Sequence, residues 1–87
     1  MHLTDEQISD AIVGLLLDRA LLATICPSEA ARALAPDSWR PLMPRVRAVA
    51  VALAREGVLE IRSGGFTVSP DQPLRGPIRL GLSPDPE

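Results

Sequence analysis

The sequence predicts a small α+β domain of the winged helix-turn-helix type, with three helices, a short strand, a C-terminal β-hairpin wing and an extended proline-rich tail. Two observations carry this prediction. Helix-start signals precede apolar residues at helical spacing, and "REGVLEIRSGGFTV" has the pattern of a helix that ends at a glycine and continues into a hairpin. A chain of 87 residues forms one domain with a thin core.

The first helix is predicted to begin after Thr4. Thr4 and Gln7 have the spacing of a capping box, in which each side chain bonds the other residue's backbone amide. Apolar residues then recur at helical spacing from 8 to 16, so the helix is expected to reach about Ala20. The following "ATI" at 23–25 is short and partly β-branched, which favours a brief strand before the next helix.

The second and third helices have start signals that involve proline. Pro27 suits the first helical position, Cys26 precedes it as the cap residue, and Glu29 lies near the positive end of the helix dipole. This helix is expected to stop before Pro36. Either of the two polar residues after Pro36 can cap the third helix, whose first turn two further prolines are expected to distort.

The third helix is predicted to lead into the hairpin. Its apolar stripe is formed by Leu42, Val46, Val49 and Leu53, and Gly57 is a natural left-handed residue after its end. "VLEIR" then alternates inward and outward residues as a half-buried strand, "SGG" turns the chain, and "FTVS" returns as the second strand.

The residues after the hairpin are predicted to form the extended tail. Region 70–87 holds five of the nine prolines of the chain, which excludes a helix there. Leu74, Ile78 and Leu80 are expected to anchor the tail on the domain, and the chain is expected to fray beyond them. The domain is therefore predicted to span 1–82, with a frayed C-terminus at 83–87.

Charge and composition restrict the function. A net charge of −2 and a pI near 5.3 argue against a general polyanion binder. The charge is uneven, because 1–31 carry one arginine against five carboxylates and 32–62 carry six arginines against three. Trp39 is expected to be the largest anchor of the core, since the only other aromatic residue is Phe66.

The residues that usually carry enzyme chemistry are scarce. Cys26 is the single cysteine and His2 the single histidine, so neither an internal disulfide nor a zinc ligand set can form. A base that could activate the thiol is also missing, and we expect neither an enzyme activity nor a metal or cofactor. The apolar run "AIVGLLL" is too short for a membrane span and has no basic segment before it, which predicts a soluble, cytoplasmic protein.

Four stretches carry a resemblance to a known family. Together, "CPSEAARAL", "WRPLMPRVR", "REGVLEI" and "RGPIRL" resemble the small bacterial family catalogued as domain of unknown function 3253. The resemblance covers most of the chain. It implies a winged-helix fold and a cytoplasmic bacterial protein, and it supplies no catalytic or ligand residues.

The outer face of the third helix carries arginine, alanine and valine, but no Asn, Gln, Ser or Lys. Direct reading of bases needs paired donors and acceptors, so sequence-specific recognition by this helix is not expected. Arginines can still bind the phosphates of DNA or RNA, and the candidate contacts are Arg40, Arg45, Arg47 and Arg62. The alternative is that these are surface arginines paired with carboxylates of the chain itself.

The same helix also presents a candidate protein interface. Ala48, Val51 and Ala52 are small outward residues that allow another backbone to approach, unless the tail folds over them. Two hypotheses follow. The first is a non-catalytic winged-helix module that binds nucleic-acid backbone without strong sequence readout. The second is a module for protein interaction or dimerisation on the same scaffold.

Overall fold

The computed structural model describes residues 3–19 and 23–83, and this part of the chain forms three helices and four strands. The helices are α1 (Asp5–Leu17), α2 (Pro27–Leu34) and α3 (Trp39–Arg55). The strands are β1 (Thr24–Ile25), β2 (Leu59–Ser63), β3 (Phe66–Val68) and β4 (Arg79–Leu82). The fold is therefore α+β, as the sequence predicts.

The predicted start of α1 is confirmed. The Gln7 amide donates to Thr4 Oγ1 over 3.1 Å, and the Thr4 amide donates to Gln7 Oε1 over 2.8 Å. The helix ends at Leu17, and Ala20, where we expected its end, lies outside the described residues. One buried row along α1 faces the core at i, i+4, i+8 spacing, namely Ile8, Ile12 and Leu16.

The predicted starts and ends of α2 and α3 are also confirmed. Cys26 is the N-cap of α2, Pro27 its first residue, and the helix ends before Pro36. Ser38 holds the N-cap position of α3 but makes no capping hydrogen bond with its side chain. The expected distortion of the first turn is wrong, because the backbone is α-helical from Trp39 onward. Pro41 lies in the first turn and removes only an amide that has no partner within the helix, whereas Pro44 lies inside the helix and leaves one i→i−4 hydrogen bond unmade.

The hairpin forms at the predicted residues. β2 and β3 pair antiparallel with Ser63 opposite Phe66, and Gly64 and Gly65 between them have φ of 60° and 87°. Two consecutive positive φ values are typical of the tight turn whose twist matches the strands. Phe66 is 76% exposed at the tip of this hairpin.

The tail differs from its prediction, because its second half is a strand inside the sheet. The strand order is β1-β4-β2-β3, so β4 pairs antiparallel with both β1 and β2. The hairpin is therefore not the C-terminal element of the fold. Of the expected anchors, Ile78 and Leu80 are buried and Leu74 is partly buried.

The residues that connect β3 to β4 run along α3. Arg55 Nε lies 3.0 Å from Asp71 Oδ1, and Arg47 Nη2 donates to the Gly76 carbonyl over 2.9 Å. Beyond β4, the Ser83 amide donates to the Val58 carbonyl over 3.3 Å. The rest of the C-terminus that we expected to fray, 84–87, lies outside the described residues.

The core lies between the three helices and one face of the sheet, and aliphatic side chains form it. Its largest fully buried members come from all three helices and the strands: Ile8, Ile12, Leu16, Ile25, Pro27, Val46, Ile61 and Leu80. Trp39 is partly buried and packs against the margin of this core. In the described ranges, no helix is long and apolar enough to cross a membrane.

Candidate functional site

The four arginines predicted to contact phosphates do not form one surface. Arg45 and Arg47 are separated by roughly 200° around α3, since each residue advances the helix by about 100°. Arg45 Nη2 lies 2.8 Å from Asp5 Oδ1 of α1, whereas Arg47 donates to the Gly76 carbonyl on the other side of the helix. Arg45 and Arg47 therefore lie on different faces of α3.

Arg62 lies away from α3, on β2. Its Nε donates to Glu60 Oε1 over 2.8 Å, and the strand register places it opposite Arg79 of β4. Arg79 in turn donates to Thr24 through its Nε, over 3.0 Å to the hydroxyl, and through its Nη2, over 2.9 Å to the carbonyl. These contacts stabilise two like charges that would otherwise repel each other across the strands.

Arg40 lies over the ring of Trp39, together with Arg32. We call these three residues the arginine–tryptophan cluster. The guanidinium carbons of Arg32 and Arg40 lie 4.3 Å and 4.6 Å from the centroid of the Trp39 ring. In residues 3–19 and 23–83, neither arginine makes an ion pair. Sequence reasoning missed Arg32, because only the turn between α2 and α3 brings it onto the ring.

The cluster is suited to binding an anion. A guanidinium stacked on an aromatic face keeps its N–H donors in its own plane, free for a phosphate or carboxylate. The ring also limits the freedom of both side chains, so less entropy is lost when they bind. The first turn of α3 adds to this effect, because it contains no acidic residue and its positive end has no side-chain cap.

A groove lies beside the turn between α2 and α3, and we call it the turn groove. It has a volume of about 550 Å³ and lies between the residue before α1 and the connection from α2 to α3. Ser38 and Pro41, which line it, flank the pair Trp39 and Arg40 directly in sequence. Its walls are mainly apolar, and its lining residues are Leu3, Leu34, Ala35, Pro36, Asp37, Ser38, Pro41 and Leu42.

The three predicted interface residues have unequal exposure. Ala48 and Ala52 are exposed, but Val51 is partly buried and packs against the core. Val51 lies on the same helical row as Arg47 and Arg55, whose side chains hydrogen-bond Gly76 and Asp71 of the segment between β3 and β4. The small outward surface of α3 is thus reduced to Ala48 and Ala52.

These two alanines line a second groove, which we call the acidic groove. It lies between α1 and the C-terminal half of α3 and has a volume of about 280 Å³. Three carboxylates line it, those of Asp5, Glu6 and Glu56. The surroundings of α3 therefore differ in charge along its length: near its start lie arginines that have no ion-pair partner within the described part of the chain, and near its end lie carboxylates, of which Asp5 is paired with Arg45.

The thiol of Cys26 is partly buried at the start of α2. The Ser28 hydroxyl donates to Cys26 Sγ over 3.0 Å, and the Cys26 amide donates to Glu29 Oε2 over 2.9 Å. Within the described part of the chain, no group of three or more His, Cys, Asp and Glu side chains could hold a metal ion. His2 lies outside that part.

The arrangement defines a small α+β domain with a cationic cluster at the start of its longest helix. The chain belongs to the family described as proteins of unknown function (DUF3253), whose model matches residues 5–83. This match confirms the resemblance carried by the four stretches of the sequence. A search of curated proteins finds no significant match to the chain.

Proposed function

We propose that the protein is a non-catalytic winged-helix module that binds nucleic-acid backbone at the arginine–tryptophan cluster. The order of helices and strands up to β3 supports the winged-helix assignment, with α2 and α3 as the helix-turn-helix pair. In such a pair the start of the second helix is the part that approaches nucleic acid. The proposed location is the cytoplasm, where a single free cysteine stays reduced.

One observation carries the proposal: two guanidiniums that have no ion-pair partner among residues 3–19 and 23–83 lie together over the Trp39 ring at the start of α3. The other candidate arginines already have partners in the chain. Arg45 can still assist, because its ion pair with Asp5 is exposed, with side chains 46% and 78% accessible, and exposed pairs contribute little. Arg47 and Arg62 would first have to leave Gly76 and Glu60.

The proposed binding is independent of sequence. The exposed row of α3 consists of Pro41, Pro44, Arg45, Ala48 and Ala52, and of these only Arg45, which is paired with Asp5, has a side chain that could donate to the edge of a base. Affinity then comes from phosphate contacts and the release of condensed counterions, so it falls steeply as salt rises.

The test follows Trp39 fluorescence and fluorescence anisotropy during titration with two unrelated labelled duplexes at several salt concentrations. Trp39 is the only tryptophan of the chain, so its emission reports on the cluster itself. In the double variant Arg32→Ala/Arg40→Ala, affinity should fall equally for both duplexes. The slope of log affinity against log salt should flatten by about one unit for each phosphate that the variant no longer binds.

The matched control is Arg19→Ala/Arg55→Ala, which removes the same charge from two arginines paired with Glu29 and Asp71. We expect this control to keep most of the affinity and the salt slope of the wild type. An equal loss of affinity in both double variants would show that only total charge matters and would refute a site at the cluster. A strong preference for one duplex would refute backbone-only binding.

The second candidate function is protein interaction at the acidic groove, which the exposed Ala48 and Ala52 favour. Absence of any nucleic-acid binding at low salt would make it the better proposal. In that case Ala52→Arg should abolish the association of the chain with itself or a partner, measured by sedimentation velocity, because the larger charged side chain fills the groove.

A further inference from the structure

We infer that copies of this chain associate head to tail, with the arginine–tryptophan cluster of one copy seated in the acidic groove of the next. The inference does not depend on nucleic-acid binding, and it names the partner of the acidic groove. Three features of the described residues support it: unpaired charges of opposite sign on the two surfaces, the lining of the groove, and the placement of the two surfaces around α3.

The acidic groove has carboxylates that the chain itself does not neutralise. Of the three that line it, Asp5 is paired with Arg45, but Glu6 and Glu56 make no ion pair within the part of the chain that the structure describes. Glu56 is the C-cap residue of α3, where the negative end of the helix dipole disfavours a carboxylate. A cation bound in the groove would offset this cost.

The cluster supplies the complementary charges in the same number. Arg32 and Arg40 are exposed, lie over the Trp39 ring and have no ion-pair partner in the described ranges. Two unpaired guanidiniums can therefore meet two unpaired carboxylates, and each such pair can form two parallel hydrogen bonds. A second copy of the chain is thus a partner that carries the charges which the groove lacks.

The lining of the groove suits the ends of arginine side chains. Its volume is about 280 Å³, and its lining includes the buried residues Val49 and Leu53 and the exposed residues Ala48 and Ala52. An arginine side chain has an apolar stem and a charged end. The stem can lie on the two alanines, whose small size leaves room for it, while the guanidinium reaches an exposed carboxylate.

The two surfaces lie on different sides of α3. Each residue advances the helix by about 100° and 1.5 Å, so Arg40 is separated from Ala48 and Ala52 by roughly 80° and 120° and lies about 12 Å before Ala48 along the axis. The cluster therefore faces away from the groove of its own chain. A contact between the cluster of one copy and the groove of another is heterologous, and its repetition adds copies one at a time.

The test is sedimentation velocity in low salt over a range of protein concentrations, without nucleic acid. The sedimentation coefficient of the wild type should rise with concentration, and added salt should abolish the rise because it screens exposed charges. The cluster variant Arg32→Ala/Arg40→Ala should remain monomeric. Its control, Arg19→Ala/Arg55→Ala, removes the same charge outside both surfaces and should associate like the wild type.

A second pair of variants tests the groove. Glu6→Gln/Glu56→Gln keeps the size of both side chains, removes their charge and should also remain monomeric. Asp10→Asn/Asp18→Asn removes the same charge from exposed residues that do not line the groove, and it should associate like the wild type. Association that persists in the cluster variant or in the groove variant would refute the proposed contact.

An equimolar mixture of the cluster variant and the groove variant tests whether the two surfaces meet. The cluster variant keeps an intact groove and the groove variant keeps an intact cluster, so one interface can form between them. The mixture should form one-to-one dimers and no larger species, although neither variant associates alone. A mixture that stays monomeric would refute the contact, provided that circular dichroism shows both variants to be folded.

The outcomes separate this inference from the proposed function. A wild type that sediments as a monomer at every concentration but binds labelled duplex through its cluster would refute head-to-tail association and leave backbone binding intact. A wild type that associates as expected but binds no duplex would refute the proposed function alone.

Discussion

Gly81 of β4 is a residue whose small size the structure requires. The register places it opposite Thr24 of β1, and a Cβ atom at Gly81 would lie 3.3 Å from Thr24 Cγ2. Arg79, two residues earlier on the same face of β4, donates to the Thr24 hydroxyl. Thr24 therefore has little room to move away without breaking that hydrogen bond.

We predict that Gly81→Val lowers the free energy of unfolding by about 1–3 kcal/mol, because the added methyl groups overpack against Thr24. The matched change is Gly14→Ala in the exposed middle of α1, where an added Cβ meets nothing within 4 Å. The free energy of unfolding of that variant should rise by about 1 kcal/mol, because alanine is favoured over glycine by about this amount inside a helix. Denaturant unfolding of both variants measures the difference, and destabilisation of equal size in both would contradict the steric argument.

At the scale of elements, the start of α2 depends on one carboxylate. The Cys26 amide donates to Glu29 Oε2 over 2.9 Å, and Arg19 Nη2 lies 2.6 Å from Glu29 Oε1. The hydrogen bond from the Cys26 amide, assisted by Arg19, holds the pKa of Glu29 below its ordinary value even though partial burial acts in the other direction.

This lowered pKa predicts a pH-dependent stability. Folding favours the ionised form of Glu29. The stabilisation of the fold by this carboxylate is therefore complete above the ordinary glutamate pKa of about 4.3, and it is lost as pH falls through the lower pKa of Glu29 in the folded chain. Glu29→Gln should thus be less stable than the wild type at pH 7, and the two should converge in acid. Thermal unfolding across this pH range tests the prediction, with Glu6→Gln in the first turn of α1 as the control. A constant difference at every pH would contradict it.

The elements that could be predicted from sequence are those set by nearby residues. The capping pair Thr4 and Gln7 lies within one helical turn, and Gly57 has the predicted positive φ, 79°, after the end of α3. The place of β4 depends instead on pairing with strands far away in the chain, which no local pattern encodes. The proline content of 70–87 correctly excluded a helix but did not distinguish a loose tail from a strand between β1 and β2.

The candidate site, too, could be predicted only as far as nearby residues determine it. The arginines were visible in the sequence, but their partners were not, because Asp5 lies 40 residues before Arg45 and Gly76 lies 29 residues after Arg47. Arg32 and Trp39 lie on different helices, so their contact follows from the turn between α2 and α3. Local patterns identified the charges, and only the fold shows which of the described arginines have no ion-pair partner.

For the molecule as a whole, ion pairs between residues far apart in the sequence bring the acidic and the basic segments of the chain together. The acidic first helix meets the basic third helix at Asp5 and Arg45, and the segment before β4 meets α3 at Asp71 and Arg55. These pairs are exposed, so their contribution to stability is small. The stability of the domain must therefore come mainly from the aliphatic core and the closure of the sheet.

The sheet is closed by β4, and this predicts that the segment beyond 70 is required for folding. Leu80 is fully buried and lies opposite both Ile25 and Ile61. Leu80→Ala should lower the free energy of unfolding by about 2–5 kcal/mol, which is a large share of the stability of a small domain. Leu82→Ala, at a partly buried position, should lower it by less.

A chain that ends at Ser69 leaves β1 and β2 without β4 between them. It should show no cooperative transition in denaturant when unfolding is followed by circular dichroism and Trp39 fluorescence. A shortened chain that unfolds cooperatively at the midpoint of the full chain would show that the terminal segment is not required for folding.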